Sequence, residues 1–306
     1  MKFYIGVTDD NWFHFLAQHQ PDEVNFWRPR DKADFKVIDE GAPFLFKLHS
    51  PNNFIVGGGF FVRHLFLPLS LAWDAFEYKN GAATYDQFRA AIMKFRQGEG
   101  LNPTIGCTIL TEPFFFDRED WIPIPSNWSK NIVKGKSYST EESVGKEVWR
   151  KIEDRLGNLK HKDGELVLRE PEVRYGNTYE IRSRIGQGAF RAMVTDAYNK
   201  RCAVTGEKTL PVLEAAHIKP YSEAGSNLTK NGLLLRSDMH ILFDKGYMTV
   251  SGDHHLEVSR RIREEYENGR EYYAYHGKQL SNLPEKFVDR PSPDFLDWHQ
   301  EQIYKG

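Results

Sequence analysis

The sequence predicts an α+β protein of two unlike domains. The first is a compact, barrel-like domain of strands with a few helices; the second is a smaller unit built as strand, loop, strand and helix. Three observations lead there. Across the first third, short β-rich runs alternate with Pro, Asn, Asp and Gly. A long polar and charged stretch, residues 129 to 177, then interrupts the apolar pattern. Beyond it, "TLPVLEAAHI" and, after a loop, "NGLLLR" read as two strands, and "SDMHILFDKG" reads as a helix.

Taken in chain order, "FYIGVT", "APFLFKL", "NFIVGGGFFVRHLFL" and "TIGCTILTEPFFF" are the strands of the first domain, and "SLAWDAFEY" and "TYDQFRAAIMKFRQ" carry helical spacing between them. Within the polar stretch, "STEESVGKEVWRKIEDRL" has the pattern of a helix opened by a Ser or Thr cap. This stretch is the expected interdomain connector. The boundaries are residues 1–145 for the first domain, 146–178 for the connector and 179–306 for the second domain. In the second domain, Phe190, Met193, Val194 and Ala197 fall on one helical stripe. For "SDMHILFDKG", Ser237 or Asp238 is the expected cap and Gly246 the stop. "YMTVS" and "HLEVS" follow as short strands.

Composition limits the function classes. With 306 residues, 40% hydrophobic and 14% aromatic, there is material for two packed cores. The formal charge of −2 does not advertise a nucleic-acid binder, although a neutral total can hide a basic face. Two cysteines, Cys107 and Cys202, in unlike segments, exclude a disulfide framework and a four-cysteine zinc site, so no structural zinc is expected. The opening "MKFYIGVTDDNWFHF" lacks the apolar centre of a secretion signal, and no run of eighteen apolar residues exists. The expectation is a cytoplasmic protein without a membrane span.

The chemistry concentrates in residues 213 to 246. His217 ends the first strand of the second domain, Asn231 opens the second strand, and His240 lies on the helix with Asp244 one turn later on the same face. His240 and Asp244 from one helical turn, with His217 as a general base from a strand, make a compact site for a single hard metal ion, Mg²⁺ or Mn²⁺. Such a site suits phosphodiester hydrolysis. An imidazole takes the proton from water, and the cation stabilises charge on the phosphate and the leaving oxygen. Asn231 is expected to fix the loop or to orient His217.

The string "RCAVTGE…LEAAHIKPY…NGLLLRSDMHILFDKGYMTV" resembles the HNH endonuclease domain, a ββα-metal nuclease, in the branch without zinc-binding cysteine pairs. The resemblance spans roughly residues 180 to 252. It implies that His217 is the general base, Asn231 the middle asparagine and His240 the closing histidine. Many such domains carry an Asp or His ligand just before the first histidine, where this chain has Ala216. Glu214 is a weaker ligand candidate, because strand alternation turns it away from His217.

In the first domain, "DEVNFWRPR" sets an aromatic pair beside Asn25 and Arg28, and three glycines at 57 to 59 let a second backbone or a ligand approach closely. Exposed aromatics next to an amide can stack on a base rotated out of a duplex. The pattern "FYIGVT…VNFWRP…GAPFLFKL…FIVGGGFF…LPLSLAWDAFEYKNG" resembles an EVE domain, of the PUA-like β-barrels, over about residues 1 to 145. An EVE domain joined to an HNH domain resembles the type IV-like, modification-dependent restriction endonucleases. Those enzymes cut DNA carrying 5-methylcytosine or 5-hydroxymethylcytosine, a defence against phage. By that likeness Trp27 stacks on the flipped base and Asn25 contacts its edge, with Trp73 and Phe46 as walls. Arg182, Arg184, Arg191, Lys200 and Arg201, with Lys208 nearby, and Lys130, Lys134 and Lys136 after the reader, are the expected phosphate contacts. A double-strand break by one-strand sites calls for a homodimer. The rival readings are an HNH nuclease acting on unmodified DNA and a non-catalytic reader of modified nucleic acid.

Overall fold

The computed structural model describes residues 1–30, 34–96, 100–162 and 185–306. The chain divides into two compact units, Met1–Arg184 and Ile185–Gly306. No helix among the described residues is long and apolar enough to cross a membrane.

The first unit is built on one seven-stranded sheet. Its strands are β1 (Lys2–Thr8), β2 (Glu23–Arg28), β3 (Pro43–Leu48), β4 (Phe54–Pro68), β5 (Thr104–Phe115), β6 (Ile122–Pro123) and β7 (Gly135–Ser139). They run in the order β2-β5-β4-β3-β1-β7, with β6 on β4, and only β1 and β3 are parallel among these pairs. The expected barrel is therefore corrected to an open sheet. Among the described residues no ladder joins β2 to β7. Both edge strands are short, and β7 is met instead by a helix, so the edges are managed without closure.

Three helices fill the connections: α1 (Asp10–His19), α2 (Leu69–Phe76) and α3 (Tyr85–Met93). The first was not expected, yet its signal is present: the Asp9 carboxylate accepts from the Trp12 amide at 2.8 Å, an N-cap. The glycines at 57 to 59 serve backbone packing rather than a ligand. A Cβ on Gly57 would run into the Phe114 carbonyl, and one on Gly58 into the Phe44 carbonyl.

The helix α4 (Ser143–Lys162) forms within the polar stretch. Its Val148, Trp149, Ile152 and Leu156 bury a stripe against Phe3, Ile5, Leu45 and Tyr138 of the sheet. The apolar spacing of about three to four residues outweighs the charge on its other face.

The second unit opens with α5 (Gln187–Ala197), which packs on an antiparallel pair, β8 (Leu213–His217) and β9 (Gly232–Arg236). The helix α6 (Ser237–Asp244) follows, then the pair β10 (Met248–Val250) and β11 (Leu256–Val258). Three further helices are α7 (Arg261–Tyr266), α8 (Arg270–Tyr273) and α9 (Pro293–Gln302). Helix α6 starts without the expected side-chain cap: Ser237 is already helical and Arg236 holds the cap position. The stop is as expected, because Gly246 adopts φ +75°, which a side chain disfavours.

Two tight packings shape this unit. A Cβ on Gly232 would meet Val194 and the Phe190 ring, so glycine lets α5 sit directly on β9. From α9, His299 is buried and stacks on Phe243, with ring centres 3.7 Å apart and planes 12° apart. Its ring nitrogens meet Thr249 Oγ1 at 2.9 Å and the Phe243 carbonyl at 3.2 Å. Beyond α9, the Lys305 amide donates to the Gly246 carbonyl at 2.9 Å.

Candidate active site

His217 is the last residue of β8 and is held on two sides. Its ring lies flat on Phe190 of α5, with centres 3.8 Å apart and planes 12° apart. Its Nε2 stands 2.8 Å from Asn227 Oδ1. The other end of that amide is committed, since Asn227 Nδ2 donates to the Ile185 carbonyl at 2.5 Å. Asn227 Oδ1 can only accept, so Nε2 carries the ring proton and Nδ1 keeps its lone pair. Burial keeps the His217 pKa below its ordinary value, and the charge of His240 adds to that, while Asn227 and Asp244 oppose. A neutral ring with Nδ1 free is the state a general base needs at neutral pH.

Asn231 is fully buried and acts on the loop, not on the base. Its Oδ1 accepts from the Lys219 amide at 2.9 Å, and its Nδ2 donates to the carbonyls of Lys219 and Ser226, each at 2.8 Å. Those bonds tie the two sides of the loop between β8 and β9, next to His217. Sequence reasoning missed Asn227 as the residue on the histidine. It sits in the turn "GSN", where no periodic pattern marks it.

On α6, His240 faces Asp244 as expected, with Nε2 3.3 Å from Asp244 Oδ2. Its Nδ1 stands 2.6 Å from Glu214 Oε2 on β8. Alternation along β8 was expected to turn Glu214 away from the site. The structure brings it in, because α6 packs across β8 and presents His240 to it. Partial desolvation of the Asp244 carboxyl raises its pKa, as does the charge of Glu214, and the two imidazoles pull it back.

The donor set fits a hard divalent ion. Two ligands about 2.1 Å from one octahedral ion stand roughly 3 Å apart, close to the His240–Asp244 separation of 3.3 Å. Glu214, 2.6 Å from the opposite ring nitrogen, stands where a carboxylate would orient a ligating imidazole. Among the described residues, the one group of three donors within 4.8 Å of one another is Asp117, Glu119 and Asp120 in the first unit. It is an acidic turn with Asp117 and Glu119 exposed, and Asp120 faces Arg155 at 3.9 Å. The candidate site thus offers the His240–Asp244 pair rather than a closed cage of donors.

The expected base pocket is only partly assembled. Trp27 and Trp73, each partly exposed, both pack on the buried ring of Phe88, at 5.7 and 6.0 Å between centres. Trp27 Nε1 donates to the Asn80 carbonyl at 2.8 Å. Asn25 shares the Trp27 face of β2 but has no exposed surface, and its Nδ2 donates to Asn80 Oδ1 at 2.8 Å. Phe46 is fully buried among Trp12, Phe26 and Phe44, so it lines the core and not a pocket wall. Alternation and packing put it on the aromatic core of the sheet.

Of the expected phosphate contacts, Arg201 and Lys208 are exposed, Arg191 is half-buried, and Lys200 pairs with Asp196 at 3.3 Å. Arg182 and Arg184 lie outside the described residues. Lys130 and Lys134 are exposed, and Lys136 lies over the Tyr138 ring at 4.8 Å.

No curated protein matches this sequence. Among solved structures, the chain is similar to a "Modification dependent TagI restriction endonuclease", at 14% identity and a TM-score of 0.29, over 92% of this chain and 75% of that one. Residues 202–251 match the HNH endonuclease family. That span holds His217, Asn227, Asn231, His240 and Asp244, and it is an HNH endonuclease domain.

Proposed function

We propose that this protein is a modification-dependent DNA endonuclease. Its second unit hydrolyses phosphodiester bonds at one divalent metal ion, and its first unit reads 5-hydroxymethylcytosine or 5-methylcytosine flipped from the duplex. The observation that carries the nuclease half is the 2.8 Å contact of His217 Nε2 with the acceptor Asn227 Oδ1. With Nε2–H on Asn227, its free Nδ1 is available to take a proton from the attacking water. His240 and Asp244 would hold the ion, with Glu214 orienting His240. When bound, the cation supplies charge stabilisation at the phosphate and the leaving oxygen. Asn231 keeps the loop beside the base in place.

The reader half is supported by the pairing of Trp27 and Trp73 around Phe88, two partly exposed indoles suited to stacking on a base. Restriction of phage DNA with modified cytosine is the biological role that follows, in the cytoplasm. Two protomers would complete a double-strand break.

The test is cleavage of one DNA sequence in three versions, with cytosine, 5-methylcytosine or 5-hydroxymethylcytosine, under Mg²⁺ or Mn²⁺, with His217→Ala alongside. Cleavage confined to modified DNA and lost in the variant supports both halves. Equal cleavage of all three removes the reader. Binding without cleavage under either metal removes the nuclease.

A further inference from the structure

We propose that the arginine-lined cavity between α7 and α8 binds a backbone phosphodiester of the duplex, away from the reacting phosphate. The inference rests on the nuclease reading above. It lies outside residues 202–251 and involves none of the basic residues expected from the sequence. The cavity has a volume of about 620 Å³ and is open to solvent. Arg260, Arg263 and Arg270 line it together with Asn268 and Tyr273.

The surrounding acids explain why these arginines are available. Glu265 is taken by Arg261 at 2.9 Å and by the Tyr247 hydroxyl at 2.5 Å. Glu271 is taken by Arg236 at 2.8 Å. Arg260, Arg263 and Arg270 have no ion pair among the described residues. Glu264 and Glu267 also line the cavity, so three guanidiniums against two carboxylates leave one positive charge. One charge matches a phosphodiester, and it is a poor match for a dianionic monoester. Guanidinium forks and an amide donor suit two phosphate oxygens.

The cavity is also fixed relative to the active site. At the start of α6, Arg236 grips Asp238 at 2.7 and 2.8 Å and Glu271 of α8, and the Tyr272 hydroxyl reaches Asp238 at 3.2 Å. Just past the end of α6, Tyr247 holds Glu265 and Tyr266 of α7. Both walls are thus pinned to the helix that carries His240. That helix is about 12 Å long, a span of a few nucleotides at roughly 3.4 Å each. A phosphate held here would set the register of the strand presented to His217.

The test is binding of a short unmodified duplex to the full chain with divalent metals chelated, followed by fluorescence anisotropy from about 50 to 200 mM salt. No strand is cut under these conditions, so the result is independent of whether the HNH site is active. The R260Q/R263Q/R270Q variant is expected to lose about 0.9 from the salt slope, one phosphate's share, and to bind roughly tenfold more weakly. The E264Q/E267Q variant is expected to bind several-fold more tightly, a gain that a folding defect cannot produce. A triple variant that melts like the parent and keeps its slope overturns the proposal, as does an E264Q/E267Q variant that binds no tighter. Displacement of the duplex by inorganic phosphate, beyond that by chloride at equal ionic strength, would mark a site for free anions and would also overturn it.

Discussion

Asn227 offers the sharpest handle on the proposed chemistry, because its acceptor selects the tautomer of His217, while burial keeps the ring neutral. Its acceptor lies 2.8 Å from Nε2 in a half-buried setting. A neutral bond there is worth about 1 kcal/mol net, so Asn227→Ala should lower single-turnover cleavage roughly fivefold to tenfold. Asn227→Asp is more telling. In the parent, burial depresses the His217 pKa, so the ring is neutral at pH 7 and activity is lost only as pH falls through that depressed value. A carboxylate at 227 favours the protonated ring and lifts its pKa by about 1 to 3 units. The base would then be lost at a higher pH, and the acid limb of the rate profile should move up by about one unit or more. Its second oxygen would face the Ile185 carbonyl, a repulsion that thermal melting reads separately. The assay is cleavage across about pH 5.5 to 9 at saturating metal. An Asn227→Asp limb at or below that of the parent, with cleavage retained, would refute the assigned tautomer.

Four further outcomes are expected. Glu214→Gln should raise the metal concentration for half-maximal cleavage about 10- to 100-fold by freeing the His240 ring, measured by Mn²⁺ titration of binding and rate. Gly232→Ala should destabilise by about 1 to 3 kcal/mol in denaturant unfolding, because the added methyl displaces Val194 and the Phe190 ring under His217. His299 is pushed down to about 4 by burial, whereas an unfolded histidine titrates near 6.5. The unfolded chain binds more protons between those values, so stability is full above about pH 6.5 and declines by roughly 3 kcal/mol towards pH 4; His299→Gln should flatten that slope in chemical denaturation. Trp27→Ala should reduce the preference for modified over plain DNA about tenfold in competition cleavage, the loss of one stacking partner.

The local patterns in the sequence translate directly into structure where neighbours along the chain decide the outcome. The apolar runs of β8 and β9, the His240–Asp244 turn and the Gly246 stop are all of this kind. The Asp9 cap of α1 was equally readable in "DDNWFHF". Closure of the first sheet was not, because whether β2 meets β7 depends on how distant edges are covered. Charge dominates the composition of helix α4, while Val148, Trp149, Ile152 and Leu156 already spell a buried stripe. Glu214 shows the limit of alternation: it predicts strand faces, not what a helix crossing the strand will bring to them. Asn227 was invisible because its meaning lies in two contacts, to His217 and Ile185, that no spacing rule encodes.

The face-to-face packing of His299 on Phe243 bears on how this nuclease could be moved between proteins. Phe243 precedes Asp244, and its ring is covered from α9, while His217 rests on Phe190 of α5. Both covering residues fall outside the matched span of residues 202–251. A graft limited to that span would carry His217, His240 and Asp244 but leave behind the Phe190 ring under His217 and the His299 ring on Phe243 of α6. The unit that keeps both stackings is therefore the whole of Ile185–Gly306, and a transplant of the HNH domain should begin before α5 and retain α9.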